Sequence, residues 1–251
     1  SLAGTALAAE TRGLKWELVG DEWKVTGYEG TATKVEIPST HEGKPVTQIG
    51  KNAFAMSGIT SVDIPGSLKS IDEQAFASCA KLTTVTFHDS SEEGSAAPGS
   101  TVIGESAFFN CGITTLNLSN SVKSIGENAF ANCKMSEVVI LDSTESIAAG
   151  AFSGCGNLSK AAISGKDSPV TVAPGAFPAG GKLKELHCQG TVTFTGDPDA
   201  NPWKDDSVHT VNIVSVVVPA TCQKAGSIKK TVGCTETAAK CTFKGEDRTI
   251  P

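Results

Sequence analysis

The chain has 251 residues, of which 19% are charged and 6% aromatic, with 26 Gly. That composition suits many tight turns and small side chains better than a large enzyme core. The net charge of −6 argues against nucleic acid, which selects basic surfaces. No run of about 18 apolar residues occurs, so the sequence as given predicts no membrane-spanning helix.

In chain order, residues 1–15 read as a flexible N-terminus or a signal-peptide remnant. Ala6-Leu7-Ala8 before Ala9-Glu10 has the small-x-small form of a signal-peptidase site, but the charged and long apolar parts of a signal are missing. Residues 16–48 alternate as strands do, at Trp16-Glu-Leu18-Val, Trp23-Lys-Val25-Thr and Lys34-Val35-Glu-Ile37. Trp16 and Trp23 are expected to cap the first coil, because a stack of coils exposes its last apolar layer unless something covers it.

From Ile49 the sequence repeats itself. Ile49-Gly-Lys-Asn-Ala-Phe54 recurs as Ile71-Asp-Glu-Gln-Ala-Phe76, Ile103-Gly-Glu-Ser-Ala-Phe108 and Ile125-Gly-Glu-Asn-Ala-Phe130. Ile147-Ala-Ala-Gly-Ala-Phe152 and Val172-Ala-Pro-Gly-Ala-Phe177 continue the series. Three of the five intervals between these Phe are 22 residues, a period that signals stacked coils. The other half of each repeat is Leu-x-x-Val-x-Ile, as in Ile59-Thr-Ser-Val62-Asp-Ile64, Leu82-Thr-Thr-Val85-Thr-Phe87 and Met135-Ser-Glu-Val138-Val-Ile140. Its alternation predicts a short strand. The Ile-Gly-x-x-Ala-Phe-x-x-Cys half, with apolar spacings of four and one, predicts a helical turn. The fold class expected is therefore an α/β solenoid of leucine-rich-repeat type. It has coils of about 22 residues, short parallel strands on the concave side, helical turns opposite and an N-terminal β cap.

These motifs, with the linkers Ile64-Pro-Gly-Ser67-Leu-Lys-Ser70-Ile71 and Leu118-Ser-Asn-Ser121-Val-Lys-Ser124-Ile125, resemble the BspA-like leucine-rich repeats of bacterial surface proteins. The resemblance covers about residues 16–215, with the repeats proper at 49–213. It implies an exported protein, secreted or on the cell surface, used for adhesion or host contact.

Two stretches depart from the pattern. The interval from Phe76 to Phe108 is ten residues too long, and the excess falls in the polar stretch 88–101, read as an exposed loop. Residues 214–251 leave the repeat and are read as a small C-terminal β module containing Cys.

Cys79, Cys111, Cys133 and Cys155 each follow the repeat Phe by three residues, so they stack at one position of successive coils. They are read as free, inward thiols whose S–H bonds a backbone carbonyl at the turn. Cys222, Cys234 and Cys241 are the disulfide candidates, because a small module with little core gains most from one bridge; their spacing does not match a zinc knuckle. No metal set, cofactor motif or catalytic constellation emerges. His41, His88, His187 and His209 share no spacing, and Asp197-Pro-Asp199-Ala-Asn201 lacks the Gly and the Glu of a calcium loop. The chain is therefore read as non-enzymatic, with no cofactor.

What remains is the outward side of the strands. Its central row is predicted to be Glu36, Asp63, Thr86, Asn117, Val139, Ala162, His187 and Asn212, with Glu137 and Leu141 flanking. Eight strands spaced about 4.8 Å apart give a face roughly 35 Å long. That is enough for a protein or extended-peptide partner, such as a host matrix or cell-surface protein. The alternative is a structural spacer within a larger surface protein, with no ligand of its own.

Overall fold

The computed structural model describes residues 12–89, 100–178 and 182–195, together with the backbone of 209–211 and 215–217. The signal-peptidase-like site, most of the inserted loop, the calcium-like stretch and Cys222, Cys234 and Cys241 lie outside the described residues.

The chain winds into a β-solenoid of about seven turns. It opens with an antiparallel hairpin, β1 (Leu14–Val19) and β2 (Glu22–Tyr28). β3 (Lys34–Glu36) follows, then β4 (Thr40–His41) and β5 (Lys44–Ile49), which pair antiparallel. Glu42 and Gly43, both at positive φ (46° and 75°), form the two-residue turn between them.

Each later coil contributes two strands rather than the one predicted. β6 (Ser61–Ile64), β8 (Thr84–Phe87) and β10 (Thr115–Asn117) come from the Leu-x-x-Val-x-Ile halves. They stack parallel on β3 into a first sheet, the one expected on the concave side. β7 (Ser70–Ile71), β9 (Thr101–Ile103), β11 (Val122–Ile125) and β13 (Ser146–Ile147) come from the linkers. They stack on β5 into a second sheet, so the Ser-Val-x-x-Ile linker is a strand in its own right.

β12 (Glu137–Ile140) resumes the first sheet. The next two coils then fuse both strands into β14 (Lys160–Val172) and β15 (Glu185–Phe194). Gly165 and Gly190 pair where the two strands join, with a register shift following Gly165 and Gly190 at φ 75°, and a Cβ on either would overlap the backbone of the neighbouring coil. β16 (His209–Val211) and β17 (Ser215–Val217) pair with the two ends of β15, so parallel pairing extends to Val217.

The helical turns are a correction: no helix occurs among the described residues. In the first arc the N–H groups of Ala53, Ala55 and Ser57 donate three residues back, to Gly50, Asn52 and Phe54, at 3.0–3.1 Å. The intervening N–H groups of Asn52, Phe54 and Met56 instead cross to Glu73, Ala75 and Ala77 of the next coil, at 3.2, 2.7 and 2.9 Å. With alternate amides leaving the segment, the i→i−4 ladder of a helix cannot form. Asn52 and Met56 sit in the left-handed region (φ 58° each), as type II turns require at their third position. Gln74 and Ser78, Ser106 and Asn110, and Asn128 and Asn132 repeat the device, and Gly150 and Gly154 take it over.

The arc holds the core together. The rings of Phe54, Phe76, Phe108, Phe130, Phe152 and Phe177 stack in one column, with centroids 4.7, 4.8, 5.0, 5.5 and 5.4 Å apart. Tyr28 adds a seventh ring, 5.6 Å from Phe54. Five of these Phe are at most 1% exposed, so each is worth about 1.5–3 kcal/mol from burial alone. At the N-terminal end Trp16 and Trp23 are partly buried against the core. His41 stacks flat on Trp16 at 4.1 Å.

Candidate functional site

The backbone register fixes which side chains share the face of the first sheet. Glu36, Asp63, Thr86 and Asn117 align across β3, β6, β8 and β10. Val139, Ala162 and His187 align across β12, β14 and β15. In each strand the alternate residues, Val62, Val85, Val138 and Ala161 among them, point into the core.

The face is divided rather than continuous. No ladder joins β10 to β12 among the described residues, although Lys134 N–H still reaches Ile113 C=O at 2.9 Å just before β12. At this break Leu116 and Leu118 are only partly buried, whereas Val85 and Phe87 of the preceding strand are 0% and 4% exposed. These two leucines still pack against the core, but less deeply than their counterparts in β8.

On one side of the break lies a polar patch. Glu36 and Asn117 are exposed, Asp63 and Thr86 half-buried, and His88 Nε2 stands 3.2 Å from an Asp63 oxygen. Both side chains of that pair reach solvent, at 58% and 46% exposure, so it contributes little to stability. The Thr60, Thr83 and Thr114 hydroxyls donate to the carbonyls of Thr33, Thr60 and Thr83, at 3.2, 3.3 and 3.3 Å, and knit the leading corner of this sheet.

On the other side lies a mixed patch. Val139 is 50% exposed, Leu141 and Ala162 are half-buried, and Glu137 is exposed. Lys160 pairs with Glu185 at 3.2 Å.

Two predicted members depart from expectation. His187 belongs to the outward row by register but is buried at 7% exposure. Its Nε2 lies 3.6 Å from a Glu185 oxygen, and its Nδ1 has no hydrogen-bond partner. Nothing in the strand alternation signals that burial. Asn212 lies outside the described residues, and the register sets Val211, not residue 212, opposite His187. Ser119, two residues beyond Asn117, is buried and donates its hydroxyl to His88 C=O at 2.9 Å.

The thiol ladder forms as read. Cys79, Cys111, Cys133 and Cys155 are free and buried, and their Sγ atoms lie 3.0, 3.0, 3.3 and 3.2 Å from the carbonyl oxygens of Phe54, Phe76, Phe108 and Phe130. Burial pushes the Cys133 thiol up to about 12 and that of Cys155 up to about 11. Burial also raises Cys188, on β15, to about 12. These groups serve the scaffold, with no access to solvent.

A coil of two parallel strands closed by a turn arc, stacked on an uninterrupted Phe column, defines a repeat protein of the solenoid class. The BspA type leucine rich repeat region matches residues 28–96 and 100–227 in six copies, and the chain belongs to that family.

Among solved structures the chain is similar to a leucine rich cell surface protein from Faecalibacterium prausnitzii A2-165. The match has 22% identity and a TM-score of 0.58, over 91% of this chain and 58% of that one. It is also similar to a leucine-rich repeat protein from Bacteroides ovatus (20% identity, TM-score 0.49, 80% of this chain and 57% of that one). The pneumococcal vaccine antigen PcpA is a third (19%, TM-score 0.47, 85% of this chain and 50% of that one). The first of these supports the fold alone, and this chain spans little more than half its length. No curated protein matches the chain in sequence. No helix among the described residues is long and apolar enough to cross a membrane.

Proposed function

We infer that the chain is an exported, non-enzymatic binding module that recognises a protein or peptide partner through the outward face of the first sheet, its concave side. The observation that carries this reading is the contrast within each coil. The arc repeats its residues and buries them, whereas the outward strand positions vary from Glu36 to Asn117 to Val139 and face solvent. Variation on a rigid repeated scaffold is how solenoid proteins present a recognition surface. Family membership supports it, since surface proteins carry these repeats; the Faecalibacterium relative is described as a cell surface protein.

The small polar residues of the N-terminal patch, without an aromatic anchor, fit modest affinity. The alternative, a spacer with no ligand, draws support from the unbroken ring column, which makes the coils a stiff unit.

Capture from extracellular-matrix and cell-surface protein fractions tests the binding reading. Asn117→Arg, Val139→Asp and Ala162→Arg are expected to weaken capture of the same partner while leaving the thermal midpoint unchanged. Capture unaffected by all three moves the site off this face.

A further inference from the structure

Three features of β12 and its neighbours serve no purpose in the scaffold. The first is Val139, an aliphatic residue left 50% exposed in the middle of a parallel ladder, beside Ala162. The second is His187, next in the same row, whose side chain is only 8% exposed while Nδ1 lacks a partner. A buried polar atom in that condition is unfavourable. The third is charge. Glu137, Lys160 and Glu185 align across the three strands, and Lys160 is engaged with Glu185. Glu137 has no ion-pair partner among the described residues, so the row is net negative.

Successive outward residues of one strand lie about 6.6–6.8 Å apart, the same distance as residues i and i+2 of an extended peptide. Glu137 and Val139 stand at that spacing along β12, and Leu141 follows directly after the strand, at the start of the turn that Thr144 N–H closes on its carbonyl at 3.1 Å. An extended chain laid over β12 therefore presents alternate side chains to a carboxylate, then to two aliphatic residues.

We propose that this half of the face binds an extended segment of a partner protein with the pattern cationic-x-aliphatic-x-aliphatic; the proposal rests on the binding reading above. The cationic side chain pairs with Glu137. The first aliphatic side chain packs on Val139 and Ala162, and the second on Leu141.

The test uses the full chain and synthetic twelve-residue peptides with a Lys-Thr-Val-Thr-Leu core, the same peptide with Glu for Lys, and a scrambled control, read by fluorescence anisotropy. The Lys peptide is expected to bind at least about tenfold tighter than the Glu peptide. Glu137→Lys should reverse that order, and Val139→Asp should weaken both peptides. Equal binding of the Lys and Glu peptides, both abolished by Val139→Asp, overturns the charge pattern and leaves the binding face standing. Peptide binding indifferent to Val139→Asp and Glu137→Lys overturns both. No binding of the Lys peptide up to about 1 mM, while the natural partner is still captured through this face, overturns the proposal alone.

Discussion

From Asn52 to Asn132 the left-handed positions of the arcs are held by Asn, Met, Gln and Ser; at Gly150, Gly154 and Gly175 they are glycine. The rings stack at 4.7–5.0 Å in the first region and at 5.4–5.5 Å in the second. The strands are short and separate before residue 137 and fused into β14 and β15 after residue 160. The change is a response to neighbours. The Asn128 and Asn132 carboxamides lean over Gly150 and Gly154, where a methyl group would overlap their oxygens. A coil is thus shaped by the coil before it as well as by its own sequence.

The largest expected effect tests the column. Phe108→Ala removes a ring stacked on both sides and is expected to lower stability by about 3–5 kcal/mol. Phe177→Ala stands at the end of the column with one stacked neighbour, Phe152. Its loss should be smaller by about 0.5–1.5 kcal/mol, the worth of one ring pair. Urea denaturation of both variants measures this, and equal losses would mean the rings do not act as a column.

The second prediction concerns the thiols of the later coils. Cys133, Cys155 and Cys188 are raised above the ordinary thiol range by burial, so the folded state keeps protons that the unfolded chain gives up. Their contribution is complete below pH 9 and fades as pH rises toward 11–12. Each thiol adds a slope of up to about 1.4 kcal/mol per pH unit in that window. Urea midpoints at neutral pH and at pH 10 should differ less for Cys133→Ala than for the parent chain. An unchanged difference would refute burial as the cause.

The smallest effect probes the contact between coils. Gly154→Ala should cost about 1–2 kcal/mol from its left-handed backbone, plus the overlap with Asn132. In the Asn132→Gly background the same change should cost less, because the carboxamide has gone. Thermal melts of the two single variants and the double variant give the coupling; strict additivity would disprove the contact.

The sequence exposed the stacked slots because Phe, Cys and the alternating strand residues recur at a fixed period, and stacking buries whatever recurs. It misled at the arc. Inward Ile, Ala, Phe and Cys at spacings of four and one fit a helix and a chain of β-turns equally well. The deciding clue was Asn, Gln, Ser or Gly at the fourth place of the motif, of which Asn and Gly are the residues suited to positive φ. The linker strand was missed because Ser70-Ile71 and Ser146-Ile147 are only two residues long and acquire their pairing from adjacent coils. The site was the least legible part. Outward rows follow from alternation, but the break after β10, the burial of His187 and the register at Val211 arise from contacts between coils.

The crossing amides of the arc also give the solenoid a direction. Asn52, Phe54 and Met56 point their N–H groups toward the C-terminal neighbour, and every arc through Gly150 and Phe152 does the same. At the corner entering each arc the sense reverses: Gly50, Asp72, Gly104 and Gly126 donate toward the N-terminal neighbour. The two ends of the stack are therefore chemically unlike. One presents arc acceptors and the other arc donors, so a segment that closes one end cannot serve at the other. Whole coils can be added or lost in register, whereas a cut through an arc leaves donors without acceptors.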